Sequence, residues 1–246
     1  MRLRRDIFSG AVLEIEFFSV SDRVRNIEQA EPPKPRFETE DEREGHRAGI
    51  SRRYFTRMVN ENYSPSSIYS THTYDDEYEA HTFEEVWNDF ENYKRALRRM
   101  NPDVKIIAVA GRGKSTGRIH LHMLIDGAGV EEIRAKWKKG RVVHAANLRA
   151  HNHYDGIDHG KDYTALAQYL HNHWTPEQGK QRWRKTVNVK PPERVTVEKN
   201  EKRYSVKRPP KLPKGYKLVE AKASGFGGLY FKAVKIPDAK KPPKRE

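Results

Sequence analysis

The sequence predicts an α+β fold: a mixed or antiparallel central sheet with helices on one face, followed by a basic C-terminal extension. Three observations carry this. Over the first 174 residues, strand-like segments alternate with segments of helical spacing. A short Gly-rich stretch, Gly111 to Gly117, separates two strand-like runs, and so short a link joins only antiparallel neighbours, because parallel strands need a long crossover. The charge then shifts sharply along the chain. Residues 180–246 hold 21 Lys/Arg against 6 Asp/Glu and 8 of the 14 prolines, whereas residues 1–179 hold 27 against 28. The expected organisation is one folded domain over 1–179 and a Pro-rich basic extension over 180–246.

Taken in order, Ala11 to Phe18 alternates apolar and acidic residues, as a half-buried strand does. Residues 28–45, with Pro32, Pro33 and Pro35, read as an exposed loop. Ile50, Tyr54 and Met58 recur every four residues and predict an amphipathic helix over about 45–61. Ser67 to Tyr74 is β-prone and ends at the turn residues Asp75 and Asp76. Thr82 and Glu85 have capping-box spacing. Phe83, Val86, Phe90, Tyr93, Leu97 and Met100 then follow a helical stripe, which Asn101 and Pro102 stop. Val104 to Ala110 and Arg118 to Asp126 predict two strands joined by the Gly111–Gly117 hairpin loop. Val130, Ile133 and Trp137 share one face of a short helix. Arg141 to Leu148 is a further strand. Asp162 to Trp174 is helical, with Tyr163, Leu166, Ala167 and Leu170 as its buried positions. In the extension, Lys217 to Glu220 and Gly228 to Val234 predict a hairpin, Arg208 to Pro213 an extended stretch, and Ala239 to Glu246 a disordered end.

Composition excludes several chemistries. The chain has no Cys, so a disulfide scaffold, a Cys-ligated zinc site, an iron–sulfur cluster and a thiol nucleophile are ruled out. No apolar run is long enough to span a membrane. Charges interrupt the first residues, unlike a secretory signal, and the expectation is a soluble, cytoplasmic protein. The net charge of +14, concentrated in the extension, suits a clamp on a nucleic-acid backbone, because each cationic contact releases condensed counterions.

The segment Arg118 to Ile125 carries the most chemistry. On a strand, His120 and His122 point to one face while Leu121, Met123 and Ile125 point to the other. Two imidazoles about 7 Å apart along a strand can hold one cation. Arg112, Lys114 and Arg118 are available for phosphates. A helix bearing Tyr163, Tyr169, His171 and His173 follows.

With these residues in view, the stretch over about residues 65–175 resembles the HUH endonucleases, and within them the rolling-circle replication initiators of single-stranded DNA phages and plasmid-like elements. Ser70 to Asp76, ending Thr73-Tyr74-Asp75-Asp76, is similar to the first family motif. Gly117 to Ile125 is similar to the second, with both histidines. Tyr163 to Trp174 falls where the helix of the catalytic Tyr is expected. The resemblance implies a ferredoxin-like nuclease fold and a divalent metal, Mg2+ or Mn2+, held by His120 and His122. It implies Tyr attack on single-stranded DNA, giving a 5′-phosphotyrosine link and a free 3′-OH. The implied partners are a replication origin and a host helicase and polymerase, in a bacterial cell, with phage or plasmid as the source of the gene.

Two positions depart from the family pattern. The family's further polar ligand has no counterpart in Ala108 to Arg112, where Asp75, Asp76, Glu77 or water would substitute. Asn172 stands where the family has Lys after its Tyr. Of the two tyrosines, Tyr169 has His173 one turn away on its own face, and Tyr163 lies at the helix start about 240° round; both remain candidates for the nucleophile. His173 and Tyr74 are candidate DNA contacts, His173 through phosphate and Tyr74 by stacking on a base. Gly111 to Ser115 lacks the spacing of a nucleotide-binding phosphate loop. A DNA-binding module that has lost turnover, and a transposase or relaxase with the same chemistry, are the alternatives.

Overall fold

The computed structural model describes residues 2–19, 39–113, 115–154, 156–173, 183–192, 194–200, 202–224 and 228–236. The Pro-rich stretch around Glu31 to Pro35, Lys114, Trp174 and the tail from Ala239 to Glu246 lie outside them. The fold is α+β, with two five-stranded sheets whose neighbouring strands are all antiparallel. Among the described residues no helix is long and apolar enough to cross a membrane. The chain divides into two compact units that follow the sheets. One comprises residues 1–53, 151–162 and 192–246, the other 54–150 and 163–191.

The first unit joins the two ends of the chain. β1 (Arg2–Ser9) and β2 (Val12–Ser19) form a hairpin, closed by Gly10 at φ 55°, a left-handed value that favours glycine in so tight a turn. β10 (Val195–Lys199), β11 (Tyr216–Ser224) and β12 (Gly228–Lys235) complete the sheet in the order β10-β1-β2-β12-β11. The C-terminal hairpin therefore forms as expected, and its partner is the N-terminal strand β2. Leu13, Ile15, Phe17, Phe231 and Ala233 make this unit's core. On the sheet's other face Tyr230 donates to Glu14 Oε1 at 2.9 Å. There the buried Lys232 ammonium pairs with the buried Asp162 carboxylate at 2.5 Å.

The second unit carries the sheet β6-β3-β5-β4-β9. Its strands are β3 (Ile68–His72), β4 (Lys105–Arg112), β5 (Ile119–Asp126), β6 (Val142–Asn147) and β9 (Trp183–Lys185). Its helices are α2 (Phe83–Met100), α3 (Val130–Lys136), α4 (Thr164–Asn172) and the last turns of α1 (Glu40–Asn62). A small hairpin, β7 (His153–Tyr154) with β8 (Ile157–Asp158), precedes α4 and belongs to the first unit.

Helix α2 begins where the sequence predicts. Thr82 Oγ1 accepts from Glu85 N at 3.2 Å and Glu85 Oε2 accepts from Thr82 N at 3.2 Å, a reciprocal cap worth about 1 kcal/mol.

The helices do not lie on one face of this sheet. Ile106, Ala108, Ala110, Leu121, Met123 and Ile125 pack under α2 and α3. Ile107, Val109 and Leu124 pack on the opposite side with Phe55, Met58 and Val59 of α1 and Ala167 and Leu170 of α4. The cause is the uninterrupted apolar run of β4: both alternating sets of side chains need cover, and burying Ile106 and Ile107 fully stabilises by about 1.5–3 kcal/mol each. Helix α1 also starts at Glu40, earlier than expected. Of its predicted stripe only Met58 is buried, while Ile50 and Tyr54 are exposed.

Candidate metal centre

β5 is central in its sheet, between β3 and β4, and places His120 and His122 on the α4 side. Their Nε2 atoms are 3.0 Å apart and their rings perpendicular, with centroids at 4.7 Å. The outer nitrogens are held by fixed partners. His120 is hydrogen-bonded to the backbone of Arg118. His122 Nδ1 lies 2.9 Å from the Tyr69 hydroxyl and 3.1 Å from Thr71 Oγ1, because Thr71 is the register partner of His122 across β3 and β5. Burial lowers the pKa of both imidazoles. His122 falls to about 3, through burial first and then through His120 and His173. Both rings are therefore neutral at pH 7, which is the protonation state a metal ligand needs.

Helix α4 supplies the rest. Tyr169 and His173, one turn apart, have ring centroids 4.1 Å from each other and 6.0 and 4.9 Å from His122. One ligand nitrogen each from His120, His122 and His173 lies within 4.8 Å of the others, and this is the group among the described residues able to hold a metal ion. The donor set fits a divalent cation: two imidazole nitrogens bound to one ion at about 2.1 Å sit about 3 Å apart when at right angles. The third member of the group is the imidazole of His173, the residue that follows α4. Gly111 makes room for it. A Cβ at Gly111, which pairs with His120 in the sheet, would collide with the His173 carbonyl oxygen.

The other predicted residues are placed as follows. Tyr169 is 47% exposed, with its ring on the cluster. Tyr163 is buried, its hydroxyl donates to the Arg149 carbonyl at 3.2 Å, and burial pushes its pKa up to about 12. Tyr74, expected to meet a base, is buried edge-on against Trp137 and offers no free ring face. Arg118 pairs with Asp76 at 2.7 Å and Glu79 at 3.3 Å and donates to the Tyr74 carbonyl. Arg112 donates to the carbonyls of Gly117 and His81 and covers Phe83. A phosphate would have to displace these partners. Asp75 faces Arg141 at 3.7 Å, so Asp75 and Asp76 serve cations of the chain itself. His72 is buried between Tyr93 and Trp137, a structural role as its strand face implies. Trp183 packs on Phe55.

Tyr69, Thr71 and Gly111 were not singled out by sequence. The first two share a strand face by their two-residue spacing, which was the available signal. Comparison with family models, with curated proteins and with solved structures finds no match for this chain.

Proposed function

We propose that this protein is a metal-dependent, site-specific single-stranded DNA endonuclease and strand transferase of the HUH kind, acting as a rolling-circle replication initiator. The observation that supports it is the convergence of the His120–His122 pair with Tyr169 and His173 at one sheet face. His120, His122 and His173 are the residues that would hold Mg2+ or Mn2+, and the ion when bound would supply Lewis acidity at a phosphate oxygen. Tyr169 Oη attacks phosphorus. A P–O bond to the phenol oxygen forms, the P–O3′ bond breaks, and the DNA leaves with a free 3′-OH. The phenol proton passes to solvent, to which Tyr169 is open, and the departing 3′ oxygen takes a proton from water. The phosphotyrosine keeps the energy of the broken ester, so a later 3′-OH reverses the step and reseals the strand. On this reading the work is done in the cytoplasm of a bacterial host, a polymerase extends the free 3′ end, and a helicase partner opens the duplex.

The test is covalent-adduct formation on denaturing gels, using pooled single-stranded oligonucleotides with Mn2+ or with EDTA. The expected outcome is a Mn2+-dependent adduct that falls by at least about 100-fold in Tyr169→Phe and His122→Ala and persists in Tyr163→Phe. Loss in Tyr163→Phe with retention in Tyr169→Phe would reverse the assignment. Binding without any adduct would favour the non-catalytic DNA-binding module, the reading that Asn172 in place of Lys supports.

A further inference from the structure

The hydroxyl of Tyr69 has three polar neighbours at once. His122 Nδ1 lies 2.9 Å away, Thr71 Oγ1 donates to it at 3.3 Å, and the Tyr169 hydroxyl is within hydrogen-bonding reach. Its ring stacks on His122, with centroids at 6.0 Å and planes 18° apart. A phenol has one proton to give and oxygen lone pairs to receive with, so what Tyr69 gives to Tyr169 depends on what it receives from His122. The His122 ring is neutral and carries one N–H. With His120 bonded outward to the Arg118 backbone, the inward Nε2 of His120 is an acceptor. In the metal-free site His122 Nε2–H therefore points at His120 Nε2, and His122 Nδ1 accepts from a hydroxyl. With a cation held at Nε2, His122 would carry its ring proton on Nδ1, the tautomer that metal-bound histidines generally adopt. His122 would then donate to the Tyr69 oxygen, and the Tyr69 hydroxyl would be free to turn its proton to the oxygen of Tyr169.

We propose that Tyr69 is a positioning residue that links His122 to Tyr169, so that a cation on the histidines orders the hydroxyl of the attacking tyrosine. The link rests on the nuclease reading for its purpose, and the contact it is built on, Tyr69 with His122 Nδ1, is present in the free protein. Its proton count balances: one proton moves from Nε2 to Nδ1 of His122 through solvent, one hydroxyl rotates, and no charge is created on either tyrosine. Thr71 Oγ1, 3.1 Å from Nδ1, is a second polar neighbour of the His122 ring that Tyr69→Phe leaves in place.

The test uses the full chain labelled with 15N-histidine and 13Cζ-tyrosine, titrated with Mg2+. The expected result is a change of the His122 ring to the Nδ1–H tautomer on Mg2+ addition, with a shift of the Tyr169 Cζ resonance that is lost in Tyr69→Phe. An equal Tyr169 shift in Tyr69→Phe, or no Mg2+-dependent change at His122 and Tyr169 in the parent protein, overturns the link. A second arm measures Mn2+ affinity and the single-turnover rate of adduct formation at saturating Mn2+. Tyr69→Phe is expected to lower that rate by about 10- to 100-fold while changing Mn2+ affinity less than about threefold; an unchanged rate overturns the proposal. If the parent protein forms no adduct at all, the nuclease reading falls and the resonance arm alone decides the link.

Discussion

His72 and His122 sit on neighbouring strands, and burial drives both imidazoles to about 3. The two serve different ends. His122 faces the α4 side with its nitrogens turned to other polar groups, while His72 fills a pocket between Tyr93 and Trp137 with only Ser70 Oγ at Nε2 and no partner for Nδ1. In the unfolded chain His72 titrates near 6.5, so on acidification the unfolded chain takes the proton first. The contribution of His72 to stability is therefore complete above about pH 6.5 and declines as pH falls toward 3, at a slope approaching ~1.4 kcal/mol per pH unit. Urea unfolding followed at pH 7 and pH 4.5 should show that decline, and His72→Gln should reduce it while His122 retains its own share. An unchanged slope in the variant would mean that the proton is taken up elsewhere.

At the scale of elements, the site depends on how closely the end of α4 approaches β4. Gly111→Ala puts a methyl group into the His173 carbonyl, so the helix end must retreat. The expected outcome is at least about a 10-fold loss of Mn2+ affinity together with a destabilisation of about 1–3 kcal/mol from the backbone clash, measured by titration and by urea unfolding. Preserved affinity would show that His173 lies outside the metal set. The pairing of His120 with His122, and of Tyr169 with His173, follows from the local periods of strand and helix, and both were legible. The contact of Tyr69 and Thr71 with His122 follows from the register of β3 on β5, set by residues some fifty positions apart, and no local pattern encodes it. The two-sided cover of the sheet was signalled by the unbroken run Val104 to Ala110, yet which helices supply it depends on tertiary packing. Strand β1 was hidden because Arg4 and Asp6 pair with each other at 2.7 Å, so charges occupy positions where alternation would show apolar residues.

At the scale of the whole molecule, the positive charge of the extension lies partly in regular structure. β10, β11 and β12 are three of the five strands of the first unit's larger sheet, so deleting 180–246 would remove most of that sheet along with its charge. The cations of the connection before β11 are the better probe. Lys207, Arg208, Lys211 and Lys214 are exposed, and each phosphate contact on a single strand contributes about 0.7 to the slope of log K against log salt. Replacing all four with Gln should lower that slope by up to about 3 while leaving adduct formation at saturating DNA in place. A slope equal to that of the parent protein would remove this segment from the DNA interface.

The pairing of β2 with β12 also sets an order of events during synthesis. β2 ends at Ser19 and β12 begins at Gly228, so one edge of the N-terminal hairpin stays unpaired until nearly the whole chain has emerged. At about 5–20 residues per second that wait is roughly ten to forty seconds, during which the second unit, whose strands and helices span residues 54–191, can already form. An open apolar edge is a template for pairing with another nascent chain. The alternating Glu14 and Glu16 give that edge like charges that oppose such pairing, and Lys232, the register partner of Glu14, matches them when β12 arrives. Acidic residues on one terminus and a lysine on the other thus favour the chain closing on itself over joining its neighbours.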